Sequence, residues 1–201
     1  IDLLNWYLAL DNQRESLRKL AEQQLSVISF QKSLVENPVD YNPENIGAVN
    51  TKADEYINQY YINEDKIVFT RRYETNSSDD IYFEENVFVT MKYDSHWSLP
   101  ELLLDNLNDI GAANISADGN EVYFSGCGWE TGFGSCDIYY VQFKNGEWSG
   151  PINLKSVNTS GWETQPCVSH DGKELYFVRR NNKTGTSDIY VSRRDEKGEW
   201  Q

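Results

Sequence analysis

The residues best equipped for chemistry in this chain are carboxylates that recur. Asp118 and Asp171 each precede a glycine, Gly119 and Gly172, between two apolar runs. Asp137 and Asp188 each open a later apolar run, and Glu55 and Glu163 each stand five residues after an asparagine, Asn50 and Asn158. Carboxylate catalysis needs two such groups converging on one pocket. A residue that serves the same turn in successive repeats points outward at several separate places, so Asp118 and Asp171 read as turn formers. Asp137 and Asp188 read as acceptors of backbone N–H bonds from the loop before a strand. Calcium is the functional alternative there, but it wants about six to eight oxygens from a dense loop, and neither 131–137 nor 184–188 supplies that density. Glu55 and Glu163 read as residues that bond neighbouring structural units, with a place at a central mouth as the alternative.

Arg71-Arg72 and Arg179-Arg180 each close an apolar run. Arginines suit carboxylate recognition, but alternate residues of a strand face opposite ways, so only one of each pair can meet a given ligand. Surface salt bridging is the competing role. Trp97, Trp148 and Trp200 recur at equal spacing, which reads as packing. Trp129, Phe133 and Trp162 do not recur. Loop aromatics that are exposed favour protein or glycan contact, so Trp129, Phe133 and Trp162, together with Arg71 and Arg179, form the candidate recognition surface. Of the three cysteines, Cys127 and Cys136 flank one loop and form a candidate disulfide on adjacent strands. Cys167 reads as a buried small apolar residue. His96 and His170 are the only histidines, and no Cys-x-x-Cys occurs, so neither a zinc site nor a cysteine nucleophile paired with a base is expected. No Gly-x-Ser-x-Gly, phosphate loop or His-Glu-x-x-His occurs either. No catalytic residue, metal or cofactor is expected.

The elements that position these residues follow from a repeat of about 51 residues. Trp97, Trp148 and Trp200 are spaced by 51 and 52, and Phe88, Tyr139 and Tyr190 by 51. The run Ser116–Phe124 matches Ser169–Phe177, Asp137-Ile138-Tyr139 matches Asp188-Ile189-Tyr190, and Asn145–Trp148 matches Lys197–Trp200. The first copy is diverged, with Glu64-Asp65 where the others have Asp-Gly. Asp-Gly between apolar runs is a strong hairpin signal. Each copy therefore reads as four short strands, which at this period is the pattern of a propeller blade. The expected fold is mainly β, an incomplete β-propeller of three four-stranded blades over about 45–100, 101–152 and 153–201, preceded by an α-helical segment over 1–37. Propellers close with about four to eight blades, so the protein is expected to continue past Gln201. The start at Ile1 points to processing or a fragment.

Residues 2–36 hold no glycine or proline, and Leu17, Leu20, Ala21, Gln24, Ile28 and Val35 fall near helical spacing. Asn12 with Glu15 suggests a capping box that breaks the segment in two, and Pro38 and Pro43 end it. The net charge of −14 repels phosphate backbones, which argues against nucleic acid as a partner. No run of about 18 apolar residues exists, so no membrane-spanning helix is expected.

From Pro38-Val39 through Asn45-Ile46-Gly47, Asn50-Thr51 and Asp54-Glu55-Tyr56 to Phe69-Thr70-Arg71-Arg72, the chain resembles the start of a known propeller type. The later run Asn153-Leu154, Asn158-Thr159, Glu163, Gln165-Pro166, Ser169 to Phe177 and Asp188 to Ser192 resembles it position by position. The family is that of Bacteroidota envelope proteins that combine tetratricopeptide repeats, WD40-like (PD-type, TolB-like) propeller repeats and a C-terminal OmpA-like domain. The resemblance spans about residues 38–201. The second copy departs from it, with Asn106-Leu107-Asn108-Asp109 near the place of the Asn-Thr…Glu element. The resemblance implies a periplasmic protein at the outer membrane, with envelope, type IX secretion or gliding proteins as partners, and helices that end a tetratricopeptide array. Peptidoglycan binding would belong to an OmpA-like domain that these residues lack. The functional expectation is a non-enzymatic scaffold, with a glycan- or muropeptide-binding propeller as the alternative and a propeller-class hydrolase behind both.

Overall fold

The computed structural model describes every residue except 11–13, 62–64, 78–79 and 106, with the backbone alone at 76–77 and 80–81. Asn12, Glu64 and Asn106, which carry parts of the expected capping box, first turn and divergent element, lie outside the described residues. Two compact units divide between Glu44 and Asn45.

The first unit holds α1 (Asp2–Leu8) and α2 (Glu15–Glu36). Helix α2 has no side-chain cap at its start and stops at Asn37, because the residue before Pro38 is driven out of the helical region. Ala21 is buried and Leu25 and Ile28 half-buried along one face, whereas Leu17, Leu20 and Val35 are exposed. Among the described residues no helix is long and apolar enough to cross a membrane.

The second unit is three antiparallel sheets in chain order. The first comprises β1 (Asp54–Tyr61), β2 (Lys66–Ser77), β3 (Asp80–Tyr93), β4 (His96–Trp97) and β5 (Glu101–Leu102). The second comprises β6 (Ile110–Ile115), β7 (Glu121–Cys127), β8 (Cys136–Lys144), β9 (Glu147–Trp148) and β10 (Ile152–Asn153). The third comprises β11 (Glu163–Val168), β12 (Glu174–Arg180) and β13 (Ser187–Arg193). Among the described residues no sheet closes or curls on itself. The tryptophan strand is short and broken: β4 and β5 both pair with β3, and β9 and β10 both pair with β8. The first two sheets therefore take in Glu101–Leu102 and Ile152–Asn153 as their last strands, so they run past residues 100 and 152. In the third sheet a single bridge between Arg194 and Trp200 stands in that place.

The turns follow from their residues. Gly119 and Gly172 take φ of 74° and 70°, a left-handed conformation that glycine adopts without penalty. Ser116 and Ser169 donate to Asp118 and Asp171 at 2.6 Å in each. These bonds, with the Asn120 and Lys173 amides, hold both carboxyls below their ordinary range. The first strand of each sheet carries a register shift at a similar place, between Ile57 and Gln59, Gly111 and Asn114, and Thr164 and Cys167.

The sheets stack face to face. Val68, Val87, Leu104, Val122 and Phe124 fill the space between the first and second, and Tyr123, Ile138, Leu154, Leu175 and Trp200 that between the second and third. Burying each such side chain is worth about 1.5–3 kcal/mol. Among the described residues only the second sheet has another sheet against both faces, with Val122, Tyr123 and Phe124 all buried. In the first sheet Ile67, Val68 and Phe69 are also all buried, because Val49 and Trp97 pack with Ile67 and Phe69 on its other face, whereas Leu175, Tyr176 and Phe177 of the third alternate. Cys167 is exposed, because the strand alternation that turns Pro166 and Val168 inward turns it outward.

Two polar joints reinforce the stack. Asn158 accepts from the Ile138 N–H and donates to its C=O, both at 2.8 Å, so one side chain bonds both backbone groups of that residue. Arg194 reaches from the third sheet to Glu121 at 2.6 Å and to the Tyr123 hydroxyl at 2.8 Å. Burial pushes the Glu121 carboxyl up, but hydrogen bonds from Tyr123, Gln142 and Arg194 outweigh it and leave the group below its ordinary value.

Cys127 and Cys136 sit opposite each other on β7 and β8 and form a disulfide. Closing that loop restricts the unfolded chain by about 2–3 kcal/mol. The double substitution Cys127→Ser, Cys136→Ser is expected to lose about that much stability, read as a lower urea midpoint under oxidising conditions. A second expectation concerns pH. A carboxyl held low stabilises the fold fully above its unfolded pKa of about 4.3 and stops doing so as pH falls through the folded value. Glu121→Gln should lower the urea midpoint at neutral pH and narrow its difference from the unsubstituted chain as pH drops below about 4.

Candidate functional site

A polar cluster recurs in the first and third sheets with the same geometry. The Arg71 Nε donates to Glu55 at 2.9 Å, and the Arg179 Nε to Glu163 at 2.8 Å. Each guanidinium also donates to a backbone carbonyl, that of Val49 or Val157. Thr51 and Thr159 donate to the same carboxylates through both amide and hydroxyl. The guanidinium of Arg71 lies 4.7 Å from the Phe88 ring, and that of Arg179 4.7 Å from the Tyr190 ring. Glu163 is fully buried. At Glu55, burial raises the carboxyl, and the bonds from Thr51 and Arg71 bring it below its ordinary value. Arg71 and Arg179 are thus engaged in ion pairs inside their own sheets, with their side chains 15% and 26% exposed. Glu55 and Glu163 likewise hold their own sheets, and Asn158 makes the bond between sheets.

The second sheet fills the same place differently. Ile110 pairs with Gly126 where the others pair Glu with Arg. A Cβ on Gly126 would meet the Trp129 ring at 3.0 Å. The Trp129 ring lies 4.6 Å from Tyr139 and 5.9 Å from Phe124, over the rings that correspond to those under Arg179. Trp129 is therefore a half-buried core residue and not a free loop aromatic. Phe133, in the same loop, is 52% exposed. Asp137 fixes that loop by accepting from the Phe133 and Gly134 amides and from Asn153. Asp188, its counterpart, is exposed. Trp97 and Trp148 are half-buried and Trp200 is buried.

The side chains free to act line a cleft beside β1, β6 and β11, the first strand of each sheet. The cleft, of about 420 Å³, is lined by Tyr56, Arg72, Phe83 and Glu85 of the first sheet. Asp109, Gly111, Ala112 and Ser125 line it from the second, and Trp162, Thr164 and Gln165 from the third. The Arg72 guanidinium lies 3.8 Å from the Phe83 ring. Tyr56 donates to Glu85 at 2.9 Å, and burial followed by the Glu85 charge keeps its phenol protonated well above the ordinary range. A Cβ on Gly111 would displace the end of the Glu85 side chain, so the glycine leaves that carboxylate room where it stands. Ser125 and Thr164 share a hydrogen bond of 2.8 Å across the second and third sheets. Ala112 and Gln165 line the cleft with φ of 50° and 54°, a conformation costing a residue with Cβ about 1–2 kcal/mol. Such strain is found where surrounding structure holds a site in shape.

Of the expected surface, Trp162 lies in this cleft, Phe133 is exposed in its loop, and Trp129, Arg71 and Arg179 are structural. Tyr56 and Phe83 were not among the expected residues, and of the pair Arg71-Arg72 it is Arg72 that lines the cleft. Alternation along β2 was the available signal: with Arg71 turned to Glu55, Arg72 must face the other way. The unusual length of β2 and β3, which carries Phe83 beyond the rungs found in the other sheets, had no signal in the repeat. Among the described residues no group of three or more His, Cys, Asp or Glu side chains could hold a metal.

No family model, curated protein or solved structure matches the chain.

Arg179→Ala leaves the Glu163 carboxylate buried without its cation, which costs about 3–5 kcal/mol. Chemical denaturation should show that loss, and the pair Glu163→Gln, Arg179→Met should recover most of it, because the stranded charge is then gone.

Proposed function

We propose that the chain is three consecutive blades of a β-propeller and serves as a non-enzymatic binding module, holding a partner protein in the cleft between Arg72 and Trp162. Stacked antiparallel sheets with bulges at a similar place on their first strands support the propeller reading. The cleft carries the functional reading. Its walls carry aromatic and guanidinium groups of the kind that dominate protein contacts, while one of its two carboxylates, Glu85, is engaged by Tyr56. Arg72, Gln165 and the aromatic rings can grip an extended peptide through its carbonyls and apolar side chains.

The resemblance to envelope proteins with tetratricopeptide, WD40-like and OmpA-like parts gives this module a setting: the periplasm, at the outer membrane, with envelope or secretion-system proteins as partners. The disulfide suits an oxidising compartment of that kind. A glycan or muropeptide ligand is the second reading, favoured by Trp162 and Tyr56 standing beside polar side chains in one cleft.

Cross-linking with mass spectrometry on native envelopes tests both. Trp162→Ala and Arg72→Ala are expected to remove at least tenfold of the cross-links to partner proteins without shifting the unfolding temperature by more than about 2 °C. Unchanged cross-links in both variants would sink the cleft as the protein site, and retention of soluble glycan fragments that Trp162→Ala abolishes would establish the second reading instead.

A further inference from the structure

The interface between the second and third sheets has two sides, and the chain carries a second, unpaired copy of each. On the third-sheet side the interface uses Asn153, Leu154, Val157 and Asn158. Residues Asn45, Ile46, Val49 and Asn50 match them, each preceding its counterpart by 108 positions. The match extends to backbone geometry. Val157 and Asn158 both donate to the Leu154 carbonyl, and Val49 and Asn50 both donate to the Ile46 carbonyl. Arg194 pairs with Trp200 at the outer edge of the third sheet, and Lys92 pairs with Trp97 at that of the first. Asn50 and Lys92 are exposed, although their counterparts Asn158 and Arg194 are the two polar joints of the interface.

The other side is duplicated as well. The second sheet offers Glu121, Tyr123 and Ile138, and the third sheet has Glu174, Tyr176 and Ile189 in the same register. Tyr176 donates to Glu174 at 2.6 Å, as Tyr123 does to Glu121. Tyr123 and Ile138 are both 0% exposed, whereas Tyr176 is 41% and Ile189 78% exposed. An apolar sheet face of this kind is a site of association. The charged groups correspond too: Lys92 stands where Arg194 does, and Glu174, which accepts from Arg193 at 2.9 Å and from Tyr176 as Glu121 does from Tyr123, stands where Glu121 does.

We propose that a second copy of this chain occupies these surfaces, the third sheet of each copy stacking on the first sheet of the other. Asn50 bonds the Ile189 backbone, Asn45 meets Asp188, Trp97 packs on Tyr176, and Lys92 pairs with Glu174. This inference rests on the propeller reading above. Docking two of these 201-residue chains both ways gives six sheets, within the range of about four to eight at which such rings close. The contact is head to tail, so it limits assembly to a pair only because the ring closes.

Sedimentation of the 201-residue chain over a range of concentrations tests the proposal. The expected result is a reversible species of twice 23.3 kDa. Ile189→Asp and Asn50→Ala change only exposed side chains, so each should keep the fold by circular dichroism and weaken the pair at least tenfold. Lys92→Glu should weaken it, and Lys92→Glu with Glu174→Lys should restore it. Mixing Ile189→Asp chains with Asn50→Ala chains should give a mixed pair, since one of its two interfaces is intact. A folded chain that stays monomeric at all concentrations, a pair indifferent to Ile189→Asp, or an open polymer would overturn the proposal. The first two outcomes leave the cleft reading untouched, because the cross-links of the Trp162→Ala variant report on that separately.

Discussion

A β-sheet can satisfy every backbone hydrogen bond and still fail to fold alone, because its apolar faces need cover. That constraint governs this molecule. The second sheet meets it fully, with Tyr123 and Ile138 sealed on one side and Phe124 and Tyr139 on the other. Everything polar at the interfaces serves the stack. Ile138 is bonded by the Asn158 side chain at both its N–H and its C=O and by the Leu154 amide at its C=O, so a loop can lie along the edge of β8 without orphaning its backbone.

The space above the paired aromatic rings of each sheet is filled in two chemically opposite ways. In the first and third sheets a guanidinium lies over the rings and requires a buried carboxylate, two threonine donors and a backbone carbonyl to satisfy it. In the second, Trp129 lies over Phe124 and Tyr139 and requires a glycine beneath it. Both solutions fill similar volume. The ionic one depends on every partner being present, and the aromatic one tolerates a neutral neighbour such as Ile110.

The sequence made the repeat and most of its strands legible because packing acts identically on each copy: Asp-Gly turns, alternating residues and the spaced tryptophans are local signatures. Its roles for single residues were less legible. Trp129 does not recur as a residue type, so it read as a free aromatic, although it recurs as a volume in the place of an arginine. Arg71 and Arg72 are neighbours of identical chemistry, and only the pairing of Glu55 with Arg71 decides which one reaches the cleft. Cys167 read as buried because it is small and apolar, but a strand bulge and its alternation decide exposure, not composition. The length of β2 and β3 was hidden because the repeat defines only the rungs that all copies share.

The loop over 128–135 joins several parts of the molecule at once. Its base is a disulfide across β7 and β8, its interior is pinned by Asp137, and its end is held to the third sheet by the Ser135 amide bound to the Gly161 carbonyl at 2.8 Å. Phe133 projects from its tip. Tension applied at Phe133 therefore travels through a covalent bond into both central strands of the second sheet together. The load is shared between strands and does not peel them apart one hydrogen bond at a time, which makes this loop the point on the second unit best built to be pulled.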